Sequence, residues 1–131
     1  MSKIICALLF MLLPVSVFGK TLDQDLLGRA AIIFVPSKLP PSENRALVVV
    51  LHGGMGNAKN IVIGQEEVPL NLNALAESEG FVVTYLNGTP ATRFFGNDKL
   101  AWNAGKCCGL PAQKSIDDVA YISKAVLELI K

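Results

Sequence analysis

The sequence predicts an α/β domain with a largely parallel sheet, and three observations carry that expectation. Residues 30–35, 46–51 and 81–86 are short, largely apolar runs rich in β-branched side chains, and 46–51 is unbroken. Continuous rather than alternating hydrophobicity marks strands covered on both faces, as in parallel sheets. Helical patterns occupy residues 69–79 and the stretch from Ser115 onward, giving the order strand, strand, helix, strand, long loop, helix. That alternation is the pattern of α/β domains.

Each element has a local reason. Lys3 precedes an apolar run over residues 4–13, then Pro14 and Val17-Phe18-Gly19. A positive start, a short apolar core and small residues at the −3 and −1 positions predict a signal peptide, residues 1–19, cleaved after Gly19. The run is too short to cross a bilayer, which takes about 20 apolar residues. Cys6 lies in it without the surroundings of a lipidation site. The protein is therefore expected to be secreted or periplasmic, with one domain over residues 20–131. Without Lys3 that domain carries equal numbers of basic and acidic residues. A neutral balance argues against nucleic acid or an anionic membrane surface as partner.

Residues 21–27 make a weak amphipathic start, and the strand at 30–35 ends at Pro36, which cannot continue a ladder. Residues 37–44 form a polar turn before 46–51, the expected central strand, which leads into the glycines Gly53, Gly54 and Gly56. The helix at 69–79 places Leu72, Leu75 and Ala76 on one face, with Gly80 as its stop. Asn87-Gly88 ends the strand at 81–86. Residues 89–114 have no periodicity, and a loop of that length is usually functional or poorly ordered. The last helix opens at Ser115-Ile116-Asp117-Asp118, with acids at its positive end and a stripe of Val119, Ile122, Ala125, Val126, Leu129 and Ile130.

The strongest chemical feature is Leu51-His52-Gly53-Gly54-Met55-Gly56, directly after the expected central strand, where α/β sheets bind ligands. Three readings fit it: an oxyanion hole of backbone N–H donors, a phosphate-binding turn, or a tight turn that needs flexible residues. The phosphate motifs are incomplete, because Lys59 and Ala58 stand where their further glycines belong. Trp102, the only tryptophan, either anchors the long loop or lines a cleft. Cys107 and Cys108 are adjacent, which suits neither zinc spacing nor a Cys-X-X-Cys redox pair. They close only a strained eight-membered ring, so stapling does not hold the domain. Asp117 and Asp118 read as helix capping rather than an acid/base pair. No metal site and no cofactor are expected.

Residues 47–54 and 72–83, then Trp102-Asn103-Ala104-Gly105, Cys107-Cys108-Gly109 and Asp117-Asp118-Val119-Ala120-Tyr121-Ile122, resemble in order the secreted polyhydroxybutyrate depolymerase and feruloyl esterase family. The resemblance runs from about Arg29 to Ile130. It implies the N-terminal half of an α/β-hydrolase fold with a mostly parallel sheet, ending before the nucleophile elbow, and serine-dependent cleavage of small esters or polyesters. It further implies that Gly54 or Met55 supplies an oxyanion donor, that His52 supports that loop, and that Trp102 and Asn103 lie near the substrate.

The chain contains no Gly-X-Ser-X-Gly elbow. Ala76-Glu77-Ser78-Glu79-Gly80 comes nearest, but at a helix-to-strand junction, the reverse of the order an elbow needs. His52, the only histidine, sits beside the glycines rather than on the late loop that carries a hydrolase base. Loss of a triad's nucleophile or base costs on the order of 10⁶ in turnover, so the chain is expected to be inactive alone. A fragment of an ester hydrolase and a small exported binding protein using the same loop are both consistent with this. An uncovered sheet edge would promote self-association.

Overall fold

The structure is a computed structural model that describes residues 18–64, 71–94 and 98–131. Most of the expected signal peptide, residues 1–17, lies outside the described residues, as do 65–70 and 95–97. Four strands form the main sheet: β1 (Lys20–Leu26), β2 (Arg29–Val35), β3 (Leu47–Leu51) and β4 (Val82–Leu86), in the order β1-β2-β4-β3. A second, two-stranded sheet pairs β5 (Thr89–Pro90) with β6 (Leu100–Ala101). Among the described residues there are four α-helices, α1 (Ala58–Val62), α2 (Asn73–Glu79), α3 (Gly109–Gln113) and α4 (Asp118–Leu129), and a short 3-10 turn at Ser42–Asn44.

The expectation of a mostly parallel sheet, and with it half of an α/β-hydrolase fold, is overturned. β1 pairs antiparallel with β2, and β2 antiparallel with β4; only β3 and β4 run parallel. The domain is a small mixed one, its sheet mostly antiparallel. The reason begins at the turn between the first two strands. Leu26 pairs with Arg29, leaving a two-residue connection of Leu27 and Gly28 with φ of 58° and 82°. Such left-handed pairs match strand twist in a hairpin and force antiparallel neighbours. The segment read as a weak amphipathic start is thus a strand, polar because it lies exposed along one edge.

A second correction concerns β3. Its run of Leu47, Val48, Val49, Val50 and Leu51 predicts a central strand, yet β3 stands at the edge and β4 is central. Unbroken hydrophobicity reports covered faces and is silent about the lateral neighbour. Each face of β3 is partly covered, with Val50 buried and Leu51 41% exposed. Val48 and Val50 lie with Phe34, Val83, Tyr85, Ala58, Ile61 and Ala76 in the core beneath α1 and α2. Val49 faces the other core, of Ala31, Leu86, Tyr121 and Ala125 beneath α4. This alternation follows from the two-residue period of strand side chains.

Helix α2 begins at Asn73, and the earlier part of the expected helix falls partly outside the described residues. It stops where expected: Gly80 takes φ 75° and its N–H donates to Ala76, closing the helix in a conformation that glycine adopts without penalty. Of the expected apolar face, Ala76 is fully buried while Leu75 stays exposed. The Tyr85 hydroxyl accepts from Leu72 N–H and donates to Asn73 Oδ1, at 2.9 and 2.7 Å, tying α2 to the sheet. Burial pushes the pKa of that phenol up.

The stripe of α4 is rotated from its expected position. Asp118, Tyr121 and Ala125 are buried, while Val119 and Ile130 are exposed. Asp117 caps the helix, its carboxylate accepting from Ala120 N–H at 2.9 Å. Asp118 does not cap. It turns inward, and that brings the helix round with it. The long stretch between β4 and α4 is not featureless either, since it carries β5, β6 and α3. Among the described residues no helix is long and apolar enough to cross a membrane.

Candidate functional site

The glycine loop leaves the end of β3 and is fastened to β6. Met55 N–H donates to the Leu100 carbonyl at 2.8 Å, and Leu100 N–H returns to the Gly56 carbonyl at 3.1 Å. Met55 is the left-handed residue of this turn, with φ 66°, an arrangement that costs a non-glycine residue on the order of 1 kcal/mol or more. Gly53 and Gly54 need no such conformation, and a Cβ on either would meet nothing within 4 Å. Local backbone geometry therefore does not require glycine at either position. Both are exposed, and Gly54 N–H makes no hydrogen bond among the described residues. Of the two expected oxyanion donors, Gly54 has its N–H open while Met55 spends its own on Leu100.

His52 braces the loop from below. The ring is 3% exposed. Its Nε2 accepts from Gly88 N–H at 3.0 Å, which places the proton on Nδ1, 2.7 Å from the Gly53 carbonyl. With both nitrogens engaged and the ring buried, His52 is a support for the loop and not a proton acceptor for a substrate.

The brace extends through Trp102. Its indole N–H donates to the His52 carbonyl at 3.0 Å, and its ring lies 5.1 Å from the His52 imidazole and 6.5 Å from the Tyr121 ring. Arg29 completes the stack, its guanidinium 3.9 Å from the Tyr121 ring centroid and within cation–π reach. The same guanidinium pairs with Asp118 Oδ1 at 2.7 Å, while Asp118 Oδ2 accepts from Asn103 N–H at 2.6 Å. Asn103 uses its side chain on the loop itself, donating to the Ile116 carbonyl and accepting from Gly105 N–H. The structure thus gathers four of the five expected site residues, His52, Gly54, Met55 and Trp102, around one loop. Asn103 lies next in the chain and works as a staple rather than as a group presented to solvent.

Arg29, Gly88 and Asp118 were not singled out for a site by sequence reasoning, yet they hold it. Two signals were present. Arg29 is a lone cation opening an otherwise apolar strand, and Asp118 falls three residues before Tyr121, on the face that α4 turns to the sheet.

Cys107 and Cys108 form a disulfide with one another, across a cis peptide bond. The Cys107 carbonyl accepts from Ala104 N–H, so the pair belongs to the Trp102 loop. Ser78, exposed at the end of α2, donates its hydroxyl to the Leu75 carbonyl in its own helix. Among the described residues no group of three or more His, Cys, Asp or Glu is placed to hold a metal ion. The chain matches no protein-family model and no curated protein.

Proposed function

We propose that this chain is an exported relative of the polyhydroxybutyrate depolymerases and feruloyl esterases that recognises carboxylic esters through the Gly53-Gly54 loop without cleaving them on its own. The proposal rests on the loop and not on the sheet architecture. The observation that carries it is the contrast within one turn. Met55 takes the strained conformation with its N–H already bonded, whereas Gly53 and Gly54 keep a bare, exposed backbone that their own geometry does not require. Glycine at such a position is suited to close approach of a ligand oxygen. A preorganised N–H aimed at a carbonyl oxygen is the electrophilic part of an acyl-transfer site.

The nucleophilic part has no carrier among these residues. His52 is buried with both nitrogens bonded, and Ser78 has no histidine to activate it, since the chain's single one is His52. The purified full chain is expected to hydrolyse nitrophenyl butyrate no faster than buffer. Turnover that disappears in Ser78→Ala would contradict the proposal.

A further inference from the structure

We propose that β3 is a homodimer interface, pairing antiparallel with β3 of a second copy about a twofold axis at Val49. This inference is independent of the ester reading. The two edges of the main sheet differ. β1 presents Lys20, Thr21, Asp23, Gln24 and Asp25, polar and mostly exposed, in the manner of edges protected against pairing. β3 presents five consecutive apolar residues with no charge, and among the described residues its only strand partner is β4. Its outer row of backbone donors and acceptors is satisfied by another extended backbone better than by any side chain.

The sequence of β3 is self-complementary, which suits a second copy as occupant. Leu47-Val48-Val49-Val50-Leu51 reads the same in both directions. An antiparallel pairing centred on Val49 sets Leu47 against Leu51, Val48 against Val50 and Val49 against itself. A twofold interface requires this self-complementarity, residue i meeting j while j meets i. Charges outside the strand obey it too, since the register brings Ala46 to His52 and Arg45 to Gly53, with no like pair opposed. Opposed residues of an antiparallel pair share a face, so both copies of α4 fall on one side and both pairs of α1 and α2 on the other. The result is a continuous sheet in the order β1-β2-β4-β3-β3-β4-β2-β1.

Single cysteines introduced into the full chain in a Cys6→Ser background test the register, with that background itself as the control. Across the axis, opposed Cα atoms approach to about 4.5–5.5 Å, within disulfide reach. Val49→Cys is expected to give a disulfide-linked dimer under mild oxidation. Leu47→Cys and Leu51→Cys are each expected to remain unlinked alone, their own copies being about 13 Å apart, and to link when mixed. Sedimentation equilibrium of the unsubstituted full chain is expected to give the mass of two chains. A monomer at every soluble concentration, or Leu47→Cys linking to itself as readily as Val49→Cys, would overturn the proposal.

Discussion

Asp118→Ala is expected to lower folding stability by about 3–5 kcal/mol, the usual cost of removing one partner from a buried ion pair. Asp118 is 5% exposed and both of its oxygens are occupied, one by Arg29 and one by Asn103 N–H. Its loss leaves a largely buried guanidinium uncompensated and a backbone donor unpaired. The size matters because small domains hold only about 5–15 kcal/mol in total. Urea unfolding followed by Trp102 fluorescence measures it, and the probe is unambiguous since Trp102 is the only tryptophan. The double substitution Arg29→Met with Asp118→Leu should recover much of the loss, because it leaves neither charge buried. A shift below about 1 kcal/mol for Asp118→Ala would mean that the pair is solvated like a surface salt bridge.

Gly88→Ala is the second large effect, with a cost of about 1–3 kcal/mol or more from overpacking against backbone. A Cβ at Gly88 would fall on the Ala101 carbonyl oxygen, with the Ala101 carbonyl carbon at 2.9 Å and Trp102 Cδ2 at 3.3 Å. No flexible side chain stands there to yield, so β6 must move away from β5 or Gly88 must leave His52. Either movement loosens the loop, because Gly88 N–H is the donor that fixes His52 Nε2 and Leu100 of β6 is the anchor of Met55. The expected signature is a lowered unfolding midpoint together with red-shifted Trp102 emission in the folded state. Unchanged emission and stability would show that the close packing of Gly88 against β6 is not maintained in solution.

How far the sequence foretold this molecule depends on which interactions are local. The apolar runs located β2, β3 and β4 within a residue or so, and Gly80 marked the end of α2, because burial of both faces and left-handed helix ends leave traces along the chain itself. Strand direction and lateral order leave none. Leu27-Gly28 is a hairpin signal of two residues beside a strand too polar to read as one, and nothing in Leu47-Val48-Val49-Val50-Leu51 says whether β3 is flanked on one side or two. The rotation of the α4 stripe escapes the pattern for a related reason. Pattern reading makes Asp118 part of the helix cap, and only its partner Arg29, distant in sequence, turns it inward. The candidate loop was legible as a cluster of glycines after a strand. Which N–H groups it leaves open was not, since that depends on Leu100, whose contact with Met55 spans the intervening fold.

On the proposed function, Gly54 presents an open backbone donor, on a loop braced by His52 and Trp102, to the oxygen of an ester carbonyl. The direct measurement is the ¹H–¹⁵N spectrum of the full chain titrated with ethyl butyrate and ethyl ferulate. Saturable movement of the Gly54 amide with at least one ester is expected, reduced by Gly54→Ala at its own position and at Gly53, while the Met55 amide, held by Leu100, stays nearly still. A Gly54 resonance unmoved by either ester, or movement confined to residues remote from the loop, would contradict it.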